Sequence, residues 1–332
     1  MHDLAVIIVS TGEGHWLRAL LPTLFAHVGD LDVDVIVVDN DSSDGTAELV
    51  SSEFPEARVV WSRNHGFAHA NNRALMTVDA RYVLFLNPDT EILSGTLEDM
   101  VRRMDAAPEV GMAGVQQYCQ GRLYPSMRRY PNALRMLMEA IGSERLPVRT
   151  SWMGTRELNL ARYEREFDLD WTAGSFMLVR REALESAGWL DERFFLYSDE
   201  TDLARRITKA GWKVRHMPHM RIVHHFSKAG FNPRGHAQFA LAHRLYAAKH
   251  FSPAHRVAFV VALATHYAVR IMVYRLLHRS DPRGPEAMRR ALAAVLGAAE
   301  PPYEPLAPTA VRPREAREML SSSVGSNERS VT

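Results

Sequence analysis

A single cysteine, Cys119, in 332 residues excludes an intrachain disulfide and any cysteine-built zinc site, and it fits a reducing compartment. No Gly-x-Gly-x-x-Gly opens a helix, which argues against a dinucleotide-dependent dehydrogenase, and no Gly-Lys-Ser/Thr loop marks a P-loop kinase. A formal charge of +1 offers nucleic acid no general attraction, so none is expected as a partner. Met1-His2-Asp3-Leu4 lacks the basic lead and long apolar core of a signal peptide, and a cytosolic start is expected. Internal repeats are also missing.

What is present is alternation. Apolar runs at Leu4–Val9, Val33–Val38, Ala57–Trp61, Tyr82–Leu86 and Gly111–Val115 read as strands. Helical spacing fills the intervals at Trp16–Phe25, Thr46–Glu53, Gly66–Thr77 and Leu93–Met104. Strand-helix alternation of this kind implies βαβ units and a mostly parallel sheet. From Gln117 to Asp170 periodicity weakens, and loops with short helices are expected. Trp171–Arg180, Trp212–Met217 and Arg221–His225 then read as strands, and Asp199–Lys209, Gly235–His250 and His255–His278 as helices.

One lone carboxylate and two acidic clusters stand at the ends of these elements. Asn87-Pro88-Asp89-Thr90 follows a buried apolar strand, so Asp89 is delivered to a carboxyl end, where open α/β sheets bind ligands. A carboxylate there can hold a divalent metal and through it a diphosphate; the plainer alternative is that Asp89 caps a following helix. Asp39, Asp41 and Asp44 crowd the end of the second strand, where a carboxylate can accept from a base imide or a ribose hydroxyl, although Asp, Ser and Gly also make good turns. Arg63 lies just before a helix start that favours anions. Asp199, Glu200 and Asp202 share the first turn of a helix; the macrodipole favours acids there, but adjacent acids also raise each other's pKa as a general base requires. Asp202 shares a face with Asp199 while Glu200 points elsewhere. The pair His224-His225 ends a strand, which sends one ring to each face and leaves one to meet Asp89.

In this order, Val6-Ile7-Ile8-Val9-Ser10, Val37-Val38-Asp39-Asn40, Arg63-Asn64-His65-Gly66-Phe67-Ala68, Phe85-Leu86-Asn87-Pro88-Asp89-Thr90, Trp171-Thr172-Ala173-Gly174-Ser175-Phe176, Phe194-Phe195-Leu196-Tyr197 with its acids, and the His pair resemble the family 2 glycosyltransferases. Bacterial rhamnosyltransferases of cell-envelope polysaccharide synthesis are the nearest in kind. The resemblance implies a GT-A fold, Rossmann-like, with helices on both faces of the sheet and further helices at the C-terminus. It implies Ser10, Asp39 and Asp41 around base and ribose, with Arg63 and Asn64 placing the nucleotide. Asn87-Pro88-Asp89 stands where the family carries Asp-x-Asp; Asp89 would ligate Mg²⁺ or Mn²⁺ with help from His224, and Asn87 replaces the first acid. Glu200 takes the place of the catalytic base, with Asp199 as competitor because the usual order of acids is swapped. Trp171, Gly174 and Asp202 are expected on the acceptor side.

The implied activity is inverting, metal-dependent transfer of a sugar, rhamnose from dTDP-rhamnose foremost, to a lipid-linked or polysaccharide acceptor. A UDP-sugar-dependent galactofuranosyl- or other hexosyltransferase is the rival, and a non-catalytic sugar-nucleotide or glycan binder the rival of another class. The expected layout is a transferase domain over 1–250, divided at 116 into nucleotide-sugar and acceptor halves, then amphipathic helices over 251–299 and a disordered tail over 300–332. Ala258–Leu277 is long enough to span a bilayer, but Arg270 near its middle costs about 2.5–3.5 kcal/mol even on the lenient insertion scale. A helix lying in the interface on its His266/Arg270 face, peripheral to the inner side of the cell membrane, fits better; packing on the catalytic domain or in a homodimer is the alternative.

Overall fold

The computed structural model describes residues 1–143, 150, 152–226, 233–277, 283–298 and 303; the expected tail, Tyr303 apart, lies outside the described residues. The chain runs β1 (His2–Ser10), α1 (Gly14–Ala26), β2 (Val33–Asn40), α2 (Thr46–Glu53), β3 (Ala57–Ser62), α3 (Phe67–Leu75), β4 (Ala80–Leu86), β5 (Thr90–Ser94), α4 (Leu97–Ala106) and β6 (Val110–Cys119). Smaller elements follow: β7 (Arg122–Tyr124), β8 (Met127–Arg128), α5 (Ala133–Ala140), a 3₁₀ turn (Leu160–Glu164), β9 (Phe167–Leu169) and β10 (Trp171–Thr172). The remainder is β11 (Phe176–Arg180), α6 (Arg181–Ala187), α7 (Asp199–Lys209), β12 (Lys213–His224), α8 (Pro233–His250), α9 (Pro253–Leu277) and α10 (Arg283–Leu296).

The main sheet has the order β3-β2-β1-β4-β11-β6-β12-β5, with β7 beside β6 and β9 beside β12. β1 to β4 pair in parallel. β11 is antiparallel to both β4 and β6, so those two run the same way, and β12 runs parallel to β6. The carboxyl ends of β1, β2, β4, β6 and β12 therefore open on one rim, where β5 and β11 begin.

Strand alternation distributes the core over both faces. Leu4, Val6 and Ile8 of β1 pack with α1 (Leu17, Leu20, Leu21, Leu24) and α4 (Met100, Val101, Met104). Ala5, Ile7 and Val9 face the other way, onto α3, α6 and α7. A third cluster joins Met136 of α5 to Ala240 of α8, Phe259 and Leu263 of α9, and Ala291 of α10.

Three boundaries differ from the sequence reading. Leu93 ends a strand instead of starting a helix: β5 pairs with the end of β12, some 130 residues on, and Gly95 (φ 85°) turns the chain before Thr96 caps α4 through Asp99 N–H. A Cβ at Gly95 would sit 2.4 Å from the His219 carbonyl oxygen, so this turn requires glycine. The two short strands expected around Pro218 are one, β12, whose register on β6 shifts between Met217 and Arg221; a bulge is where a strand tolerates proline. The run Trp171–Arg180 is broken at Ala173-Gly174-Ser175 into β10 and β11.

Asp202, expected on the acceptor side, is wholly buried and serves the scaffold instead. It meets Arg206 (2.7 Å), Lys249 (2.7 Å) and His250 (2.6 Å), and Lys249 also reaches Asp191 at 2.6 Å, which ties α7 to the end of α8. Burial pushes the Asp202 pKa up, but the His250 hydrogen bond and the charges of Arg206 and Lys249 outweigh it and hold the carboxyl below its usual range. Such a depressed pKa contributes stability that is present above the ordinary carboxylate range and is lost as pH falls through the folded-state value. Asp202→Asn should cost about 3–5 kcal/mol at neutral pH, the range for breaking a buried pair from one side. In urea unfolding the gap to wild type should close on acidification; a gap independent of pH would show that charge is not the source.

Candidate active site

Ser10 ends β1 in register with Asp39 at the end of β2. Asp39 is buried and accepts from Ser42 N–H at 2.8 Å, so one of its oxygens shapes the turn. Asp44 does the same work more fully: it accepts from Thr46 N–H and Oγ1 and from Gly14 N–H, joining the starts of α1 and α2. The Thr46 hydroxyl is the main reason its pKa lies below the usual carboxylate range. Much of this acidic cluster is thus turn and cap chemistry. Asp41 is exposed in a left-handed conformation (φ 66°) beside it. Arg63 and Asn64 are exposed at the end of β3, where the Asn64 carbonyl oxygen accepts from Asn40 at 3.2 Å.

At the centre of the rim, Asp89 lies between β4 and β5. No helix follows it, which removes the capping alternative. His224 pairs in register with Thr90, and its Nε2 comes within 3.3 Å of Asp89 Oδ1 and 3.5 Å of Asn87 Nδ2. Both members of the Asp89–His224 pair are more than nine-tenths buried. His225 turns to the opposite face as the alternation requires, contacting Glu91 at 2.6 Å and stacking on Trp16, while its N–H donates to the Asp89 carbonyl. Among the described residues no three His, Cys, Asp or Glu side chains form a metal cage. One carboxylate and one imidazole nonetheless could hold a divalent ion if substrate phosphates and water supplied its remaining ligands.

The acids of α7 reach the same place through one turn. Asn87 N–H donates to the Ser175 carbonyl at 3.1 Å, and a Cβ on neighbouring Gly174 would lie 3.7 Å from Glu200 Cβ. Ala173-Gly174-Ser175 is therefore bonded to the Asn87–Asp89 loop and lies beside Glu200. Glu200 is half-buried whereas Asp199 is buried. Burial first, then the charge of Glu200 and a hydrogen bond to it, push the Asp199 pKa well above the usual range. Tyr197 (φ 68°) and Ser198 (φ 60°) lead into α7 in left-handed conformations, which cost roughly 1–3 kcal/mol each and persist only where surrounding contacts impose them. One such contact is visible. Phe67 N–H donates to the Phe195 carbonyl at 2.7 Å, at a place so close that a Cβ on Gly66 would sit 2.3 Å from that oxygen. Trp171 is buried, its indole N–H donating to the Arg129 carbonyl at 3.0 Å and its ring lying under Arg128.

Sequence reasoning passed over Gln117 and Ser175. Gln117 is fully buried near the end of β6, where its carbonyl oxygen accepts from Ser175 Oγ at 2.7 Å. Its position at a strand's carboxyl end was the available signal, the same one that singled out Asp89.

Residues 5–188 match the family model described as glycosyl transferase family 2. The chain is 30% identical over 247 residues to the N-acetylglucosaminyl-diphospho-decaprenol L-rhamnosyltransferase of Mycobacterium tuberculosis (strain H37Rv), covering 70% of this chain and 80% of that protein. It is 25% identical over 232 residues to the rhamnosyltransferase WbbL of Escherichia coli (strain K12), covering 66% and 82%. Among solved structures, residues 1–349 of S. aureus TarS superpose with a TM-score of 0.53 at 15% identity, over 89% of this chain and 80% of that one. GalNAc-T7 with UDP, GalNAc and Mn²⁺ gives 0.54 at 12% identity, over 75% and 50%. These two likenesses concern the fold, and they agree with the α/β architecture described above. With its GT-A architecture and a family match over more than half its length, the chain belongs to glycosyl transferase family 2 and is a glycosyltransferase.

Proposed function

We propose that this enzyme is an inverting, metal-dependent rhamnosyltransferase that takes rhamnose from dTDP-rhamnose to a lipid-linked or polysaccharide acceptor in cell-envelope glycan synthesis. One observation carries the reading: Asp89 with His224, and Glu200, flank the same Ala173–Ser175 turn on one rim of the sheet. The names of the two rhamnosyltransferase relatives support rhamnose as the sugar, and the first supports a lipid diphosphate acceptor. A UDP-hexose or galactofuranose donor is the competing choice within the same chemistry.

Asp89 and His224 would hold Mg²⁺ or Mn²⁺, as the Mn²⁺ in the GalNAc-T7 structure suggests for the fold, and the ion would neutralise charge growing on the departing diphosphate. Asp39, Asp41, Ser10, Arg63 and Asn64 line the rim where base and ribose would lie. Glu200 accepts the proton of the acceptor hydroxyl as its oxygen attacks the anomeric carbon opposite the leaving group, which inverts the centre without a covalent sugar–enzyme intermediate. Asp199, its pKa raised by burial and by its neighbour's charge, hydrogen-bonds Glu200, the more open of the two side chains. Gly174 keeps the space in front of Glu200 free of side chain.

Asp89→Ala should abolish the metal dependence of donor binding, read as thermal stabilisation by nucleotide sugar with and without Mn²⁺. An unchanged metal response would remove Asp89 from the ligand set. Glu200→Gln should retain donor binding and slow transfer by roughly a hundredfold to ten-thousandfold; if Asp199→Asn does this instead, the base is Asp199. Asp199 also makes a stability prediction. Its raised pKa contributes stability that is present at low pH and lost as pH rises through the folded-state value, because the buried acid must then ionise. Thermal unfolding should accordingly show Asp199→Asn gaining on wild type as pH rises above the ordinary carboxylate range. A panel of dTDP-, UDP- and GDP-sugars, scored by nucleotide release with acceptor, decides the donor.

A further inference from the structure

α9 carries two rows of different character. Phe259, Ala262, Leu263 and Tyr267 are buried against α5, α8 and α10. His266 and Arg270, the face expected at an interface, also turn inward: His266 Nδ1 lies 3.3 Å from the Met136 carbonyl of α5, and Arg270 is half-buried near Tyr267. The outward row is Val257, Val261, Thr265, Ala268, Met272 and Leu276, spaced three or four apart on one side of the helix. Val257, Val261, Met272 and Leu276 are each more than half exposed. A helix face turned to water is ordinarily polar, and this one is not.

The neighbouring helix repeats the pattern. α5 packs along α9 and, with Ile141 just past its end, exposes Leu134 and Leu137, again at spacings of three and four. Its one acid, Glu139, is engaged by Thr155 N–H and Oγ1 at 2.7 Å each, and α9 contains no acid at all. The charges exposed on α9 are basic, with Arg256 near its start and Arg275 near its end.

We infer that the outward rows of α5 and α9 form a surface that lies on an anionic lipid bilayer. Apolar side chains enter the boundary between headgroups and acyl chains while the arginines meet phosphate. A bilayer suits this face better than a second copy does. Two-fold pairing would set one acid-free, arginine-ended row against another, with no carboxylate to answer the charge. α9 is long and apolar enough to span a membrane, but its inner row is committed to the protein's third core. Placement is also informative: α5 follows β8, which pairs with β10 immediately before the Ala173–Ser175 turn. The surface rests on the lipid-linked-acceptor reading for its purpose, since it would present the acceptor side of the site to substrate held in the leaflet.

The test is sedimentation of the full chain with phosphatidylglycerol-rich vesicles, without donor or acceptor. Wild type should bind, and the double variant Val257→Glu/Val261→Glu and the single variant Met272→Glu should partition roughly tenfold or more weakly, because each places a charge in the apolar row. Melting temperature and stabilisation by nucleotide sugar should be unchanged in both, as these side chains touch no site residue. Failure of wild type to bind, or equal binding by the variants, would overturn the proposal. So would a wild-type dimer in sedimentation velocity that the variants convert to monomer, which would assign the face to a second copy. Vesicle binding requires no turnover, so a failure of the rhamnosyltransferase reading in the donor panel would leave this result standing, and the reverse.

Discussion

The turn Ala173-Gly174-Ser175 is the contact on which the site depends. β11 enters the sheet between β4 and β6 in the opposite direction, so the residues before it arrive at the rim where those strands end. One backbone hydrogen bond to Asn87, and the nearness of Gly174 to Glu200, then set the spacing between the Asn87–Asp89 loop and the start of α7. The separation of Asp89 and Glu200 is thereby a backbone property, and on the proposed mechanism it would orient the attacking and leaving groups.

The second constraint is the fit between Gly66 and Phe195. Here the start of α3 is bonded to the segment that leads into α7, some 130 residues further along the chain. Asn72 strengthens the junction, donating to the Leu190 carbonyl and to Glu192, with His69 on the same carboxylate. Rigid attachment on this side accounts for the left-handed residues before α7: the strain is held by tertiary contacts and fixes the direction of the helix that carries Glu200. The Asp191–Lys249–Asp202 network supports that helix from behind. Three acids in the first turn of α7 thus differ in setting: Asp202 anchors, Asp199 is buried with a raised pKa, and Glu200 is left half-open.

Much of the fold was legible from residue patterns because its strands are short apolar runs and its helices carry a clear apolar face, as in α1. The rim position of Asp89 followed from strand-end logic, and the opposite faces of His224 and His225 from strand alternation. The errors share one cause, pairing between residues distant in the chain. Leu93 reads as helical until β12 is laid beside it. Pro218 reads as a breaker until the bulge on β6 is seen, and Asp202 reads as a site acid until α8 supplies its cations.

Local sequence was sufficient for most element types, for which residues could carry charge to strand ends, and for family membership, because these depend on composition and spacing over a few residues. Only the tertiary structure decided which acid stays open, which imidazole meets Asp89, and which row of α9 faces outward. Those outcomes depend on burial and on cross-chain pairing, and both are set by where β11, β12 and α8 return in space.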